Sequence, residues 1–168
     1  MTGWFNRDRM EYWAFVSQIV GGVGVVASVI YLAVQVGANT TALQAQTYYN
    51  AMTIAQRPFE ILIADMDLAR IVETGEKDPS ALSPAEWKVF GSFTVLEFNA
   101  WEYIYNLDKT NSVPTSLADT ANAYYGDFVK TRPGVRRFWK EYSNAFVEPF
   151  LSHANAIVAE AEAAAQKE

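Results

Sequence analysis

Residues 21–35, "GGVGVVASVIYLAVQ", admit two incompatible readings, and the choice between them decides the fold. Gly22, Gly24 and Ala27 fit the G-x-G-x-x-A phosphate loop of dinucleotide-binding proteins. The same letters also fit the middle of a membrane-spanning helix. A dinucleotide fingerprint needs a strand before the glycines, a helix after them, and an acidic residue about 20 positions on to hold the ribose hydroxyls. The 45 positions from Tyr12 to Gln56 carry no charged side chain, so no carboxylate stands where the ribose would lie.

The membrane reading has positive support. Trp13 to Val36 is a run of 24 uncharged residues, about 36 Å long as a helix, against a hydrocarbon core of about 30 Å. Tyr12 and Trp13 sit where an interfacial aromatic belt belongs, and Trp4 and Phe5 ahead of Arg7 and Arg9 predict that residues 1–11 lie along the headgroups. A cleaved signal peptide fits less well, because the apolar run exceeds an h-region of about 7–15 residues and "ALQAQ" is a poor cleavage site. A transmembrane helix over 12–37 is the expectation.

Within that helix Ser17, Gly21, Gly24, Ser28, Tyr31 and Gln35 recur at spacings of 4, 3, 4, 3 and 4, which places them within about 40° of one line along it. Ile19, Val23, Val26, Ile30 and Val34 occupy the other side. Small residues let helix backbones approach, and Ser or Gln can hydrogen-bond across a helix pair, which is how helices associate without a hydrophobic driving force. The stripe is therefore expected to be a helix–helix interface. Gln35, near the exit, is equally suited to the headgroups. The spacing continues through Ala38, Ala42 and Ala45 into an uncharged extension over 38–57, which suits packing within its own domain or, alternatively, a pore lining.

The bulk numbers close other routes. A net charge of -6 and a pI near 4.8 oppose nucleic acid as the partner, since phosphate-backbone affinity needs a basic surface. The chain has no cysteine and one histidine, His153, so no metal site and no cofactor is expected. With 51% hydrophobic and 14% aromatic residues, the remainder must build a packed core.

That remainder reads as helices, with no alternation of period two. Pro58 predicts a kink or break. Residues 59–75 read as helical with a stop at Gly75, followed by a polar loop. Ser83-Pro84-Ala85-Glu86 is a capping box with proline at the first helical position. The helix from there to Lys109 is apolar around most of its circumference and is expected at the centre of a bundle. Residues 117–130 give another helix, "TRPGV" at 131–135 a turn into the next, and Glu148-Pro149 a bend. The expected fold is all-α, one N-terminal transmembrane helix extended into a small helical bundle, with a soluble domain over 58–152 and a helical tail over 153–168 that frays.

"SVIYLAVQVGANTTALQAQ" at 28–46, "DMDLARIVETGEKDPSALSPAEWKVF" at 65–90, "FNAWEYIYN" at 98–106 and "TRPGVRRFWKEYSNAFVEPF" at 131–150 carry a likeness over most of the chain. It resembles a family of small uncharacterised proteobacterial single-pass membrane proteins. Their pattern is an S-L-I-Y-L-A-x-Q-I-R-Q-N-T-like helix end, a D-P-E-L-A-R-like segment, a Leu-Ser-x-x-E helix start and a P-G-x-R-x-W-W helix. The resemblance implies a bacterial inner-membrane location and supplies no catalytic residues. Here Val36-Gly37-Ala38-Asn39-Thr40 stands where the family usually has a basic residue. Arg7 and Arg9 before the span favour a cytoplasmic N-terminus, family members with arginine after it point the other way, and the side of the soluble domain stays open.

Lys130, Arg132, Arg136, Arg137 and Lys140 gather five of the thirteen basic residues. Beside Pro133-Gly134 they suit a phosphate or anionic lipid headgroup, or else a solvated face paired with Glu141 and neighbouring acids. Glu97 and Glu102 lie on the central helix about 140° apart, so they cannot aim at one substrate atom. Glu97 is expected to pair with an arginine of a neighbouring helix, and His153 to be a surface or partly packed histidine. No catalytic constellation emerges. The expected role is that of a non-catalytic protein whose partners are the bilayer and transmembrane helices of itself or of a larger complex; the alternative is a homo-oligomeric pore lined by the N-terminal helix.

Overall fold

The computed structural model describes residues 7–165. Those residues are all-α: α1 Arg7–Ala64, α2 Met66–Lys77, α3 Pro84–Lys109, α4 Thr115–Thr131, α5 Pro133–Tyr142, a 3-10 turn Ser143–Ala145, and α6 Phe150–Ala165. The chain divides into two compact units between Ala45 and Gln46. The side chains of Trp4, Phe5 and Arg7, and with them most of the expected headgroup segment, lie outside the described residues.

In the first unit α1 is one helix whose large apolar side chains are exposed, among them Val23 at 64%, Ile30 at 60% and Val34 at 66%. In the second unit the bundle is built around α3. Its start is fixed locally: the Ser83 hydroxyl accepts from the Glu86 backbone N–H, and the Glu86 carboxylate accepts from the Ser83 N–H at 3.1 Å, with Pro84 following the cap. Phe90, Phe93, Phe98, Trp101 and Ile104 then point inward and are buried. Phe98 is the hub, stacked on Trp139 at 4.8 Å and touching Phe128, Phe138 and Phe146. Trp101 stacks on Tyr125 at 5.2 Å and meets the edge of Phe150. Truncating a ring so enclosed costs about 3–5 kcal/mol.

Three sequence expectations are corrected. Of the kink or break expected at Pro58, the break does not occur: α1 runs on to Ala64. The proline ring is fully buried, and the burial offsets the hydrogen bond that the Ile54 carbonyl loses. The interruption falls instead at Asp65, whose carboxylate accepts from the N–H groups of Asp67 and Leu68 at 3.0 Å and starts α2. Gly75 does not stop α2 either, which runs on to Lys77. A Cβ on Gly75 would lie 2.5 Å from the Phe90 ring, and a Cβ on Gly134 would collide with the Gly75 carbonyl, so Gly75 lets α2 lie against Phe90 of α3 and Gly134 lets α5 lie against α2. The expected frayed tail is a packed helix through Ala165, with Ala154, Val158 and Ala161 buried.

Candidate functional site

The small-residue stripe of α1 is built from helix spacing alone, and two of its side chains bond back along the helix. The Ser28 hydroxyl donates to the Gly24 carbonyl at 2.8 Å, and the Gln35 amide donates to the Tyr31 hydroxyl at 3.1 Å. Backbone groups of a helix in lipid must be bonded internally, and the Ser28 hydroxyl and the Gln35 amide each find an acceptor on the same helix. A Cβ on Gly21 or on Gly24 would meet nothing within 4 Å, and Ser17, Tyr31 and Gln35 are exposed. The six stripe residues therefore form an open line that nothing in the first unit covers. The uncharged extension uses the same device: Thr40, Thr41 and Thr53 donate to the carbonyls of Val36, Gly37 and Tyr49.

One helix of the described residues is long and apolar enough to cross a membrane. Within it an 18-residue window has a mean hydropathy of 2.2, none of it buried.

The basic cluster near Pro133 is tied within the chain. Arg132 donates to Glu76 at 2.9 Å and lies over the Phe128 ring, joining the α4–α5 junction to α2. Arg136 donates to the carbonyls of Val129 and Lys130, two of the terminal acceptors of α4. Arg137 bonds Glu141 at 2.9 Å and stacks on Trp87. Lys140 meets Glu162 at 2.7 Å and Lys130 meets Glu160 at 3.4 Å, both on α6. An anion arriving here would have to displace these partners.

Glu97 is buried on the central helix but lacks the arginine expected of it. It is 3% exposed, and its Oε2 is buried with no hydrogen-bond partner. Among the described residues no arginine forms an ion pair with it; Arg132, the cation whose charge acts on it, is committed to Glu76. The expected Glu97–arginine pair is thus replaced by a carboxyl facing Tyr125 across α4, with Glu76 and Arg132 beyond. Burial, reinforced by the Glu76 charge, pushes Glu97 up to about 7, while Tyr125 and Arg132 oppose the rise. Burial also raises Glu76, against the pull of Arg132. Tyr124 is lifted to about 12, again by burial first and then by Glu97. Glu102 points elsewhere, toward the Val147 N–H at 3.5 Å.

His153 is partly packed, one of the two placements expected of it. It stacks on Tyr105 at 4.6 Å, and its Nε2 lies 3.1 Å from Asn122 Oδ1, which also accepts from the Trp101 indole at 2.8 Å. Burial, and secondarily Lys109, hold its pKa below the usual histidine range. This Trp–Asn–His link joins α3, α4 and α6 and had no sequence signature, because its members meet only through packing. Nor did the described residues gather any group of three or more metal-ligating side chains. Compared with known protein families, curated proteins and solved structures, the chain matches none.

Proposed function

We propose that this is a non-catalytic single-pass protein of the bacterial inner membrane, anchored by the first part of α1. Its Ser17, Gly21, Gly24, Ser28, Tyr31 and Gln35 face docks on transmembrane helices of itself or of a larger complex. The observation that carries the reading is the apolar window of α1, of which no part is buried in the chain's own fold. Valine and isoleucine side chains left bare over more than two helical turns are costly in water, at about 1.5–3 kcal/mol each, and a bilayer removes that cost. The stripe supports association because Gly21 and Gly24 leave room for a close approach and the Ser28 hydroxyl and Gln35 amide are already bonded along the helix.

Gentle detergent extraction followed by native mass measurement tests this. A mass of two or more chains, or of a complex with other membrane proteins, is expected; a bare monomer overturns the reading. Gly24→Leu fills the seam and is expected to dissociate the assembly, so retained association would show that the stripe is not the interface. Ion flux through liposomes holding the purified protein would replace the docking role with the pore.

A further inference from the structure

Where α2, α3 and α4 meet, two carboxylates share one guanidinium. Arg132 sits between helices, capping the end of α4 and the start of α5 with extended backbone. From there its side chain donates to Glu76, in the last turn of α2, at 2.9 Å. The guanidinium lies over the Phe128 ring, one turn of α4 beyond Tyr125, and Tyr125 faces Glu97. Glu97 is the second carboxylate: it is buried, and its Oε2 has no hydrogen-bond partner. The charged and titratable groups around it are Arg132, Glu76 of α2, and Tyr124 and Tyr125 of α4. From α5, Arg137 lies over Trp87, and from α6, His153 packs on Trp101 and Tyr105, so both are turned to other residues of α3.

The proton on Glu97 decides which carboxylate holds the arginine. While it is kept, Glu97 has no charge to offer and the Arg132–Glu76 pair stands. Burial lifts Glu97 to about 7, so the proton leaves within the neutral range. The two carboxylates then compete, and an ion deprived of water claims a counter-charge more strongly the deeper it lies. Glu97 is buried, whereas Glu76 is half-buried. Glu76 has no substitute cation at hand, because Lys77 is bonded to Glu73 at 2.7 Å. A carboxylate left unpaired regains its stability only in water, so the last turn of α2 that carries Glu76 has to open. Among the described residues no other ion pair ties α2 to α4 or α5.

We infer that Glu76, Arg132 and Glu97 form a proton-operated latch: with Glu97 protonated, Arg132 fastens the end of α2 to the α4–α5 junction, and loss of that proton transfers the guanidinium to Glu97 and releases the end of α2. The latch lies within the second unit, Gln46–Glu168, and does not depend on the membrane reading above.

The chain has no cysteine, so Lys77→Cys and Lys140→Cys, both at exposed positions, place a spin label on the end of α2 and another on α5. Their separation is measured by pulsed electron spin resonance in the full-length protein in detergent at pH 6 and pH 8, on either side of the Glu97 titration, with circular dichroism confirming an intact bundle at both. The distance is expected to lengthen and its distribution to broaden at pH 8. In the same labelled protein carrying Glu97→Gln it is expected to be the same at both pH values. A second measurement needs no label. Glu76→Gln removes the competitor, so Arg132 is expected to move to Glu97 and lower the midpoint of its carboxyl NMR titration by about 1–3 pH units, and adding Arg132→Gln is expected to reverse that shift. A label separation that does not change with pH, or that changes equally in Glu97→Gln, overturns the latch. So does a Glu97 midpoint that is the same in Glu76→Gln with and without Arg132→Gln.

Discussion

Glu97 should make the bundle less stable as pH rises through the neutral range, and Glu97→Gln should abolish that dependence. A carboxyl with an ordinary value of 4.5 sits at about 7 in the fold. Below pH 4.5 it is protonated in both folded and unfolded chains and ionisation costs nothing. Between 4.5 and 7 the unfolded chain releases the proton and the folded chain keeps it, so stability falls with rising pH. Above 7 both are ionised and the full cost is present. At about 1.4 kcal/mol for each pH unit separating the two states, that cost is about 3 kcal/mol. Glutamine keeps an acceptor for Tyr125 and never ionises. The assay is chemical unfolding in detergent at pH 5 and pH 8, wild type against variant. Glu76, also raised by burial, contributes to both chains and largely cancels in the difference. At pH 5 the two should lie within about 1 kcal/mol, and at pH 8 the variant should be more stable by about 2–3 kcal/mol. A difference that does not change between the two pH values would refute the claim that an unpaired, protonated carboxyl lies between α3 and α4.

Two further predictions concern packing. Gly134→Ala should cost more than about 4 kcal/mol, because its Cβ meets the Gly75 backbone, whereas Gly91→Ala, with the Phe138 ring 3.8 Å from its Cβ, should be tolerated or stabilise by up to about 1 kcal/mol through helix propensity; thermal unfolding separates them. Asn122→Ala should cost about 1–3 kcal/mol by leaving the buried Trp101 N–H without its acceptor, and a melt unchanged from wild type would mean that indole finds another partner.

What the sequence disclosed follows from how far each cause acts along the chain. The capping box at Ser83, the proline start at Pro133 and the uncharged run from Tyr12 to Gln56 are local or cumulative, and each was readable before any tertiary contact. Pro58 misled because its cost is local and its compensation is not: a ring buried against the bundle tolerates a lost hydrogen bond that an isolated helix would not. Gly75 looked like a stop for the same reason, since its purpose is set by the Phe90 ring on another helix. Glu97 was legible as buried but not as unpaired, because the candidate arginine, Arg132, is drawn off by Glu76, and competition between two carboxylates for one cation is decided by placement. On α1 the spacing is written in the sequence from Ser17 onward, but which side of the helix the bundle covers is decided by packing: Ala51 and Pro58 are buried, while Phe59 stays half-exposed beside Tyr124, 6.3 Å from its ring.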